Sequence, residues 1–410
     1  MQVAEIIGSV VGNDVPVRVI GYDGSKVGPD SSELALRIIS PRALARLATA
    51  PGTLGLARAY VEGEIEVEGD LYTLLDAMAD ITLNDLSRAD QLRLARRMLP
   101  IWARHHQPPP AEEFRKPRGR LHSKLRDSKA ISHHYDVSNR FYEWVLGPSM
   151  TYTCAYYPSG DATLEQAQAD KYELVAQKLA LEPGMRLLDV GCGWGGMVMH
   201  AAAEHGVNAL GVTLSRNQAE WAQAEIERRG LGDLAEVRHC DYRDAPESQF
   251  DAISSIGLTE HIGKDNLRAY FRSLHARLRP GGRLLNHCIT EPHAVTKPLD
   301  PFIERYVFPD GQLEAVGLLV SEMNDAGFEV RHEENLREHY ALTLHAWGRN
   351  LSEHWDEAVA EVGMGRARVW RLYMAACALG FERDNIQLHQ VLGVRLTDHG
   401  HSGFPLRGWR

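Results

Sequence analysis

Asp189 stands two residues ahead of Gly191 in the run Leu187–Gly196 (LLDVGCGWGG), where a short apolar segment meets four glycines. The apolar segment reads as a β-strand and the pattern after the glycines as a helix. Glycine has no Cβ and tolerates φ > 0, so such a turn lets a ligand lie against bare backbone N–H groups. Gly191, Gly193 and Gly196 spell GxGxxG, which in dinucleotide folds comes with an acid on the ribose about 20 residues further on. No acid stands at the next strand tip, which reads GVTLSRNQ over Gly211–Gln218. The third tip carries Cys240-Asp241-Tyr242. An acid at the first tip, hydroxyl and amide groups at the second and an acid–aromatic pair at the third suit a cofactor with a cationic amino-acid end and an adenosine end. That describes S-adenosylmethionine (SAM). The bland reading of the glycines is a tight turn without a ligand, and that of Thr213 and Leu214 is strand packing.

The elements that must position these residues follow from the hydrophobic pattern. Strands are expected at Arg186–Val190, Ala209–Leu214, Ala235–Cys240, Phe250–Ile256 and Arg283–Ile289, with helices between them. Thr163 and Gln166 form a capping-box pattern at the head of a preceding helix. This βαβα alternation predicts a doubly wound sheet with its ligand at the carboxyl ends of the strands. After Ile289 a Pro-rich insertion runs over 290–312, and a last strand is expected near Gln387–Leu396. Residues 1–100 read as a small α+β domain. In it Val15–Ile20, Leu34–Ile39 and Tyr60–Val67 are strands, and Ser40-Pro41 starts a helix. Residues 101–129 read as a basic linker, 130–396 as the catalytic domain and 397–410 as a loose tail.

Composition excludes several classes. The 410 residues are 44% hydrophobic, enough for a sizeable core and against wholesale disorder. The net charge of −10 argues against a nucleic-acid binder. The five cysteines have no CxxC spacing, so neither a zinc site nor a disulfide framework is expected, which suits a reducing cytoplasm. There is no signal-peptide pattern and no apolar run long enough to span a bilayer. The linker gathers Arg115, Lys116, Arg118, Arg120, Lys124, Arg126 and Lys129 around a lone acid, Asp127. Such a run is either a solvated face or a patch for anionic lipid headgroups.

Four motifs in order, TYTCAYY, LDVGCGWGG, GVTLSRNQ and SIGLTEHIG, resemble the cyclopropane fatty-acid synthase and mycolic-acid methyltransferase family of SAM-dependent enzymes. The resemblance covers about residues 130–395 and, more weakly, the first domain. It implies a class I SAM-methyltransferase fold, Rossmann-like, with a mixed, mainly parallel seven-stranded sheet. It implies cofactor contacts from Tyr135, Tyr152, Thr153, Asp189, Gly191, Gly193, Gly195, Thr213, Leu214, Gln218, Asp241, Tyr242 and Ile256. It also implies a base cluster of Cys154, Glu260, His287, Ile289 and Tyr340, which in cyclopropane synthases holds a bicarbonate ion. Glu304, Tyr306 and Phe308 would shape an acyl pocket.

The chemistry so implied is C-methylation of a cis alkene in a phospholipid acyl chain. An alkene is a weak nucleophile, so the sulfonium must be held in line with it. Methyl transfer leaves a carbocation that must be shielded from water and must then lose a proton. Loss from the new methyl group closes a cyclopropane; loss after a hydride shift gives an exocyclic methylene. Two departures from the family pattern stand out: Thr259 where an aromatic residue is usual, and Asn286 and Cys288 where leucine and threonine are commoner; the Thr259-Glu260-His261 version looks more like the branch that makes 10-methylene or 10-methyl chains. That branch works with a flavin-dependent reductase. An anionic membrane surface, a homodimer and a cytoplasmic location on the inner face of the membrane complete the expectation. A catalytically silent lipid-binding scaffold and a methyltransferase for soluble acceptors are the competing readings.

Overall fold

The computed structural model describes residues 2–11, 15–80, 87–114, 126, 138–294 and 298–406. The chain forms two compact units. One comprises Met1–Lys116, Asp300–Pro309 and Trp355–Leu379; the other comprises Pro117–Leu299, Asp310–His354 and Gly380–Arg410.

In the first unit, strands β1 (Arg18–Ile20), β2 (Lys26–Val27), β3 (Ala35–Ile38) and β4 (Ile65–Glu68) form a sheet in the order β2-β1-β3-β4. Ser40 caps the helix Pro41–Thr49 by accepting from the Arg42 N–H, with Pro41 in the first turn. The stretch expected as a strand over Tyr60–Val67 divides differently. Tyr60 and Val61 end the helix Thr53–Val61, and the strand begins only at Ile65. The β-formers Tyr60 and Val61 are buried by the helix they close, so packing overrides their propensity.

The unit also recruits two segments that the sequence assigns to the catalytic domain. Glu113 takes a bidentate bond from Arg58 at 2.7 and 2.8 Å and one from the Tyr306 hydroxyl at 3.5 Å. Arg368 donates to the Tyr60 carbonyl at 2.8 Å and to Glu66 at 2.5 Å. Tyr306, expected to shape the acyl pocket, is instead buried in this unit beside Glu113.

The second unit is built on an eight-stranded sheet. Its strands are β5 (Arg186–Val190), β6 (Asn208–Thr213), β7 (Ala235–His239), β8 (Phe250–Ile256), β9 (Leu278–Glu291), β10 (Glu314–Ala315), β11 (Phe328–Asn335) and β12 (Gln387–Arg395). The order is β11-β12-β9-β8-β5-β6-β7, with the two-residue β10 added parallel to β9 as an eighth strand. From β9 to β7 the neighbours run parallel; β12 is antiparallel to both β9 and β11.

Period-two alternation distributes the core. Leu187, Ala209, Ala252, Leu285 and Leu392 face one buried cluster. Their chain neighbours Leu188, Leu210, Ile253, Leu284 and Val391 face the other. The helices Leu164–Leu179, Gly196–His205 and Arg216–Arg228 cover the first face; Leu267–Arg277 and Val316–Asp325 cover the second. Thr163 and Gln166 make the expected capping box.

Because β5 pairs with β6 on one side and β8 on the other, its carboxyl end is the topological switch point. The strand expected at Arg283–Ile289 is longer at both ends, running over Leu278–Glu291 as β9. The segment expected to be a loose tail is held at Phe404, whose ring takes the Arg283 and Arg331 guanidiniums at 5.2 and 5.0 Å.

Candidate active site

A cavity of about 300 Å³ opens at the carboxyl ends of β5, β6 and β8 in the second unit. Tyr152, Thr153, Asp189, Gly191, Gly193, Thr213, Leu214, Gln218, Tyr242 and Ile256, all expected to touch cofactor, line it. Gly191 and Gly193 have φ of 74° and 55°, so the turn between strand and helix needs glycine there. Gly196 is required for a different reason: a Cβ on it would sit 1.9 Å from the Tyr172 hydroxyl oxygen.

Two expected contacts, Gly195 and Asp241, are not among the lining residues. Gly195 turns away from the cavity, where a Cβ would meet Ala222 and Val237 at 3.2 Å. The Asp241 carboxylate is taken by Arg243, through its backbone N–H at 2.9 Å and its side chain at 2.8 and 2.6 Å. Its neighbours Cys240, Tyr242 and Arg243 line the cavity in its place. Tyr135 lies outside the described residues.

Asp189 is buried at the switch point, and burial pushes its carboxyl up to about 6 against a 2.6 Å hydrogen bond from Ser254 and the field of Lys171. Lys171 went unnoticed in the sequence, although it lies on the buried stripe of the helix Leu164–Leu179 together with Ala167, Gln168 and Val175. It is only 1% exposed. Its ammonium donates to the Thr153 hydroxyl at 3.1 Å and stands 3.7 Å from the centroid of the Tyr172 ring. Desolvation pulls its pKa down to about 7, opposed by Asp189 and Cys154. Asp189 and Lys171 therefore set an anion and a cation on one cavity wall, the charge pattern of a zwitterionic amino-acid end. An aromatic wall continues from there. Tyr152 packs on Tyr142 and Trp347 at 5.9 and 5.3 Å, Tyr142 on Trp194 at 4.6 Å, and Tyr340 edge-on to Trp347 at 6.1 Å.

Three members of the expected base cluster, Glu260, His287 and Ile289, are linked to this cavity through β9. In the register of β8 and β9, Ile256 pairs with His287, and the cavity-lining Gly257 donates its N–H to the His287 carbonyl at 2.8 Å. His287 is buried, and desolvation holds it neutral, with its pKa well below the usual value. Its Nδ1 pairs with the Gln390 amide at 3.1 Å, whereas Nε2 has no partner among the described residues. Glu260 accepts from the Ile289 N–H at 2.7 Å through Oε1; Oε2 is buried and likewise has no partner among the described residues. Burial raises this carboxyl to about 7.

Cys154 points its thiol at the Ala155 carbonyl, 3.1 Å away, and burial pushes its pKa far up, so the side chain is a small hydrophobe and not a nucleophile. Tyr340 stacks on Phe381 at 4.6 Å. The Thr259 hydroxyl donates to the Asn286 carbonyl at 2.6 Å, and the Asn286 amide donates to Cys288 Sγ at 3.3 Å. The departures noted in the sequence therefore form one buried chain of hydrogen bonds.

Residues 122–391 match the family described as mycolic acid cyclopropane synthetase. The chain belongs to this family. It is 54% identical over 407 residues to the "probable fatty acid methyltransferase Rv3720" of Mycobacterium tuberculosis, covering 96% of this chain and 94% of that one. It is 36% identical over 280 residues to the cyclopropane-fatty-acyl-phospholipid synthase of Escherichia coli K12, covering 68% and 71%. Among solved structures, the cyclopropane synthase MmaA2 of Mycobacterium tuberculosis superposes with a TM-score of 0.62 at 34% identity, over 67% of this chain and all of that one. The mycolic acid cyclopropane synthase CmaA1, solved with SAH and CTAB, gives 0.62 at 33%, over 65% and 97%. As a member of this family the chain is a SAM-dependent methyltransferase, and its cofactor is SAM.

Three outcomes follow from this geometry. Lys171→Met removes the cation from the cavity wall and is expected to weaken SAM binding by at least about tenfold, roughly one charged hydrogen bond, by calorimetry. Thr259→Val strands the Asn286 carbonyl and should cost about 1–3 kcal/mol in thermal unfolding; adding Asn286→Leu should recover part of that loss, because both partners are then apolar. Glu260 has a folded pKa above its unfolded one. Its contribution to stability is therefore complete below the unfolded value and lost as pH rises through about 7. Glu260→Gln should gain on the wild type by roughly 3 kcal/mol at most between pH 4 and 8, read from melting temperatures.

Proposed function

We propose that this enzyme methylates the cis double bond of an unsaturated acyl chain in a membrane phospholipid. The observation that carries the reading is that two buried atoms on elements joined to the SAM cavity, Glu260 Oε2 and His287 Nε2, have no partner among the described residues. Bound SAM supplies an electrophilic methyl group on a sulfonium. The chain's own part is to orient and desolvate. Asp189 and Lys171 offer charges to the amino-acid end of the cofactor, and the tyrosine and tryptophan rings present electron-rich surfaces to a developing cation.

A bicarbonate ion suits the two free atoms. With the Gln390 amide donating to Nδ1, neutral His287 carries its proton on Nε2 and can donate to an oxyanion. Ionised Glu260, held by the Ile289 N–H, can accept from a hydroxyl through Oε2. When bound there, such an ion would supply an oxygen base; His287 and Glu260 would hold it.

The polar set Thr259, Asn286 and Cys288 beside Glu260 supports the methylene route over ring closure. On that reading a flavin-dependent reductase partner reduces the methylene to a methyl branch. The basic run Arg115, Lys116, Arg118, Arg120, Lys124 and Lys129 would dock a homodimer on anionic lipid at the inner face of the membrane. Arg126 is excluded from this patch, since Asp310 takes its guanidinium at 2.5 and 2.8 Å. Among the described residues no helix is long and apolar enough to cross a bilayer, so contact with lipid would be peripheral.

Purified enzyme with methyl-labelled SAM and vesicles of oleoyl phosphatidylglycerol is expected to place label in the lipid, less so with phosphatidylcholine vesicles or at high salt. Mass spectrometry after mild hydrogenation then separates a methylene, which takes up hydrogen, from a ring, which does not. No label in lipid with SAM bound supports the scaffold reading. Label in soluble acceptors alone supports the third reading and overturns the first.

A further inference from the structure

Glu173, on the helix Leu164–Leu179, faces His200 and His205 on the helix Gly196–His205. Both imidazoles aim Nε2 at the same carboxylate oxygen, Oε2, at 3.4 and 3.0 Å. All three potential donor atoms fall within 4.8 Å of one another. The other oxygen, Oε1, is held by the Gln177 amide at 3.0 Å, which fixes the carboxylate and leaves Oε2 for the histidines. For a tetrahedral ion with bonds of about 2.0–2.1 Å, neighbouring ligand atoms lie about 3.3 Å apart. The two nitrogen–oxygen spacings straddle that value.

We propose that Glu173, His200 and His205 bind a divalent transition-metal ion of the zinc type, with a fourth position open to water. Two imidazoles and one carboxylate are the donor set that such ions prefer over magnesium or calcium. The side chains are 15%, 20% and 39% exposed for His200, His205 and Glu173, so an ion can enter and the fourth position reaches solvent.

The position gives the ion a structural consequence. It would staple two helices that both feed the SAM cavity: Lys171 and Tyr172 come from the first, Gly196 and Met197 from the second. The His200 ring packs on Tyr172 at 5.7 Å.

The full-length enzyme, stripped with chelator and titrated with zinc chloride against a chromophoric competitor, should bind one equivalent with a dissociation constant of about 1 μM or below. Zinc should raise its melting temperature. Cobalt(II) should give the visible absorption of a four-coordinate site. Glu173→Gln and His205→Ala should each weaken zinc at least about tenfold. His205→Ala does not touch the Tyr172 packing, and calorimetry with SAM verifies that this variant is folded. Cys240, half-buried and free, is the rival ligand. Loss of zinc in Cys240→Ser with retention in His205→Ala would overturn the proposal. So would zinc binding unchanged in both site variants, or no saturable binding by the wild type.

Discussion

The structure depends on holding an ionisable carboxylate inside the sheet at its switch point. Burying a lone carboxylate costs several kcal/mol unless partners compensate. Asp189 meets that requirement through register. It pairs with Ser254 of β8 on one side and Gly211 of β6 on the other. The Ser254 hydroxyl reaches its oxygen at 2.6 Å. Gly211 has no side chain because a Cβ there would meet Cys192 Sγ and Val198 at 2.8 Å, the atoms of the turn and helix that follow Asp189. Small residues on both flanking strands are thus what allows the turn to fold back over them, and the acid is left facing the cavity. Lys171, desolvated on the same wall, is the mirror image of the same problem.

What could be read in the sequence is what alternation and local chemistry dictate. β5 and β8 fall where the pattern put them, because their residues alternate between two buried faces. The Thr163 cap and the Ser40-Pro41 start were visible because their bonds close within a few residues. Relations between distant segments were not visible. Nothing local in 355–379 says that Arg368 ties it to Tyr60 and Glu66, and nothing in 300–309 says that Tyr306 belongs with Glu113. Lys171 could have been suspected, since a lysine on the apolar stripe of a helix needs a reason. The acid–aromatic pair Asp241-Tyr242 did not show that the Asp241 oxygens are engaged by the arginine two residues on.

The candidate chemistry is divided between two compartments joined by backbone. The cavity holds the charges and the aromatic surfaces; Glu260 and His287 lie outside its lining. The link is the pairing of β8 with β9, which sets Ile256 against His287, and the single bond from the Gly257 N–H to the His287 carbonyl. Glu260 is tied to the same strand through Ile289. A proton acceptor can thus be placed relative to the cofactor to within the tolerance of a sheet, which is stiffer than any loop. Keeping His287 neutral matters equally, because an imidazolium there would repel the cation that methyl transfer creates.

The Thr259, Asn286 and Cys288 chain bears on how such an active site diverges. A lone threonine in place of a large aromatic residue would leave a void and a stranded hydroxyl, each costing about 1–3 kcal/mol. Here the hydroxyl is answered by Asn286, fully buried on β9, and the Asn286 amide by Cys288. Losing one partner leaves the other unsatisfied at a cost of about 1–3 kcal/mol, which favours changing Thr259 and Asn286 together. The linkage also places a polar, satisfied wall in the turn that carries Glu260 and on the strand that carries His287. A wall of that kind alters the field beside Glu260 and leaves the backbone bonds to Glu260 and His287 in place. In this site, then, Glu260 and His287 are held by backbone bonds, and the side chains around them can vary as a hydrogen-bonded set without disturbing those bonds.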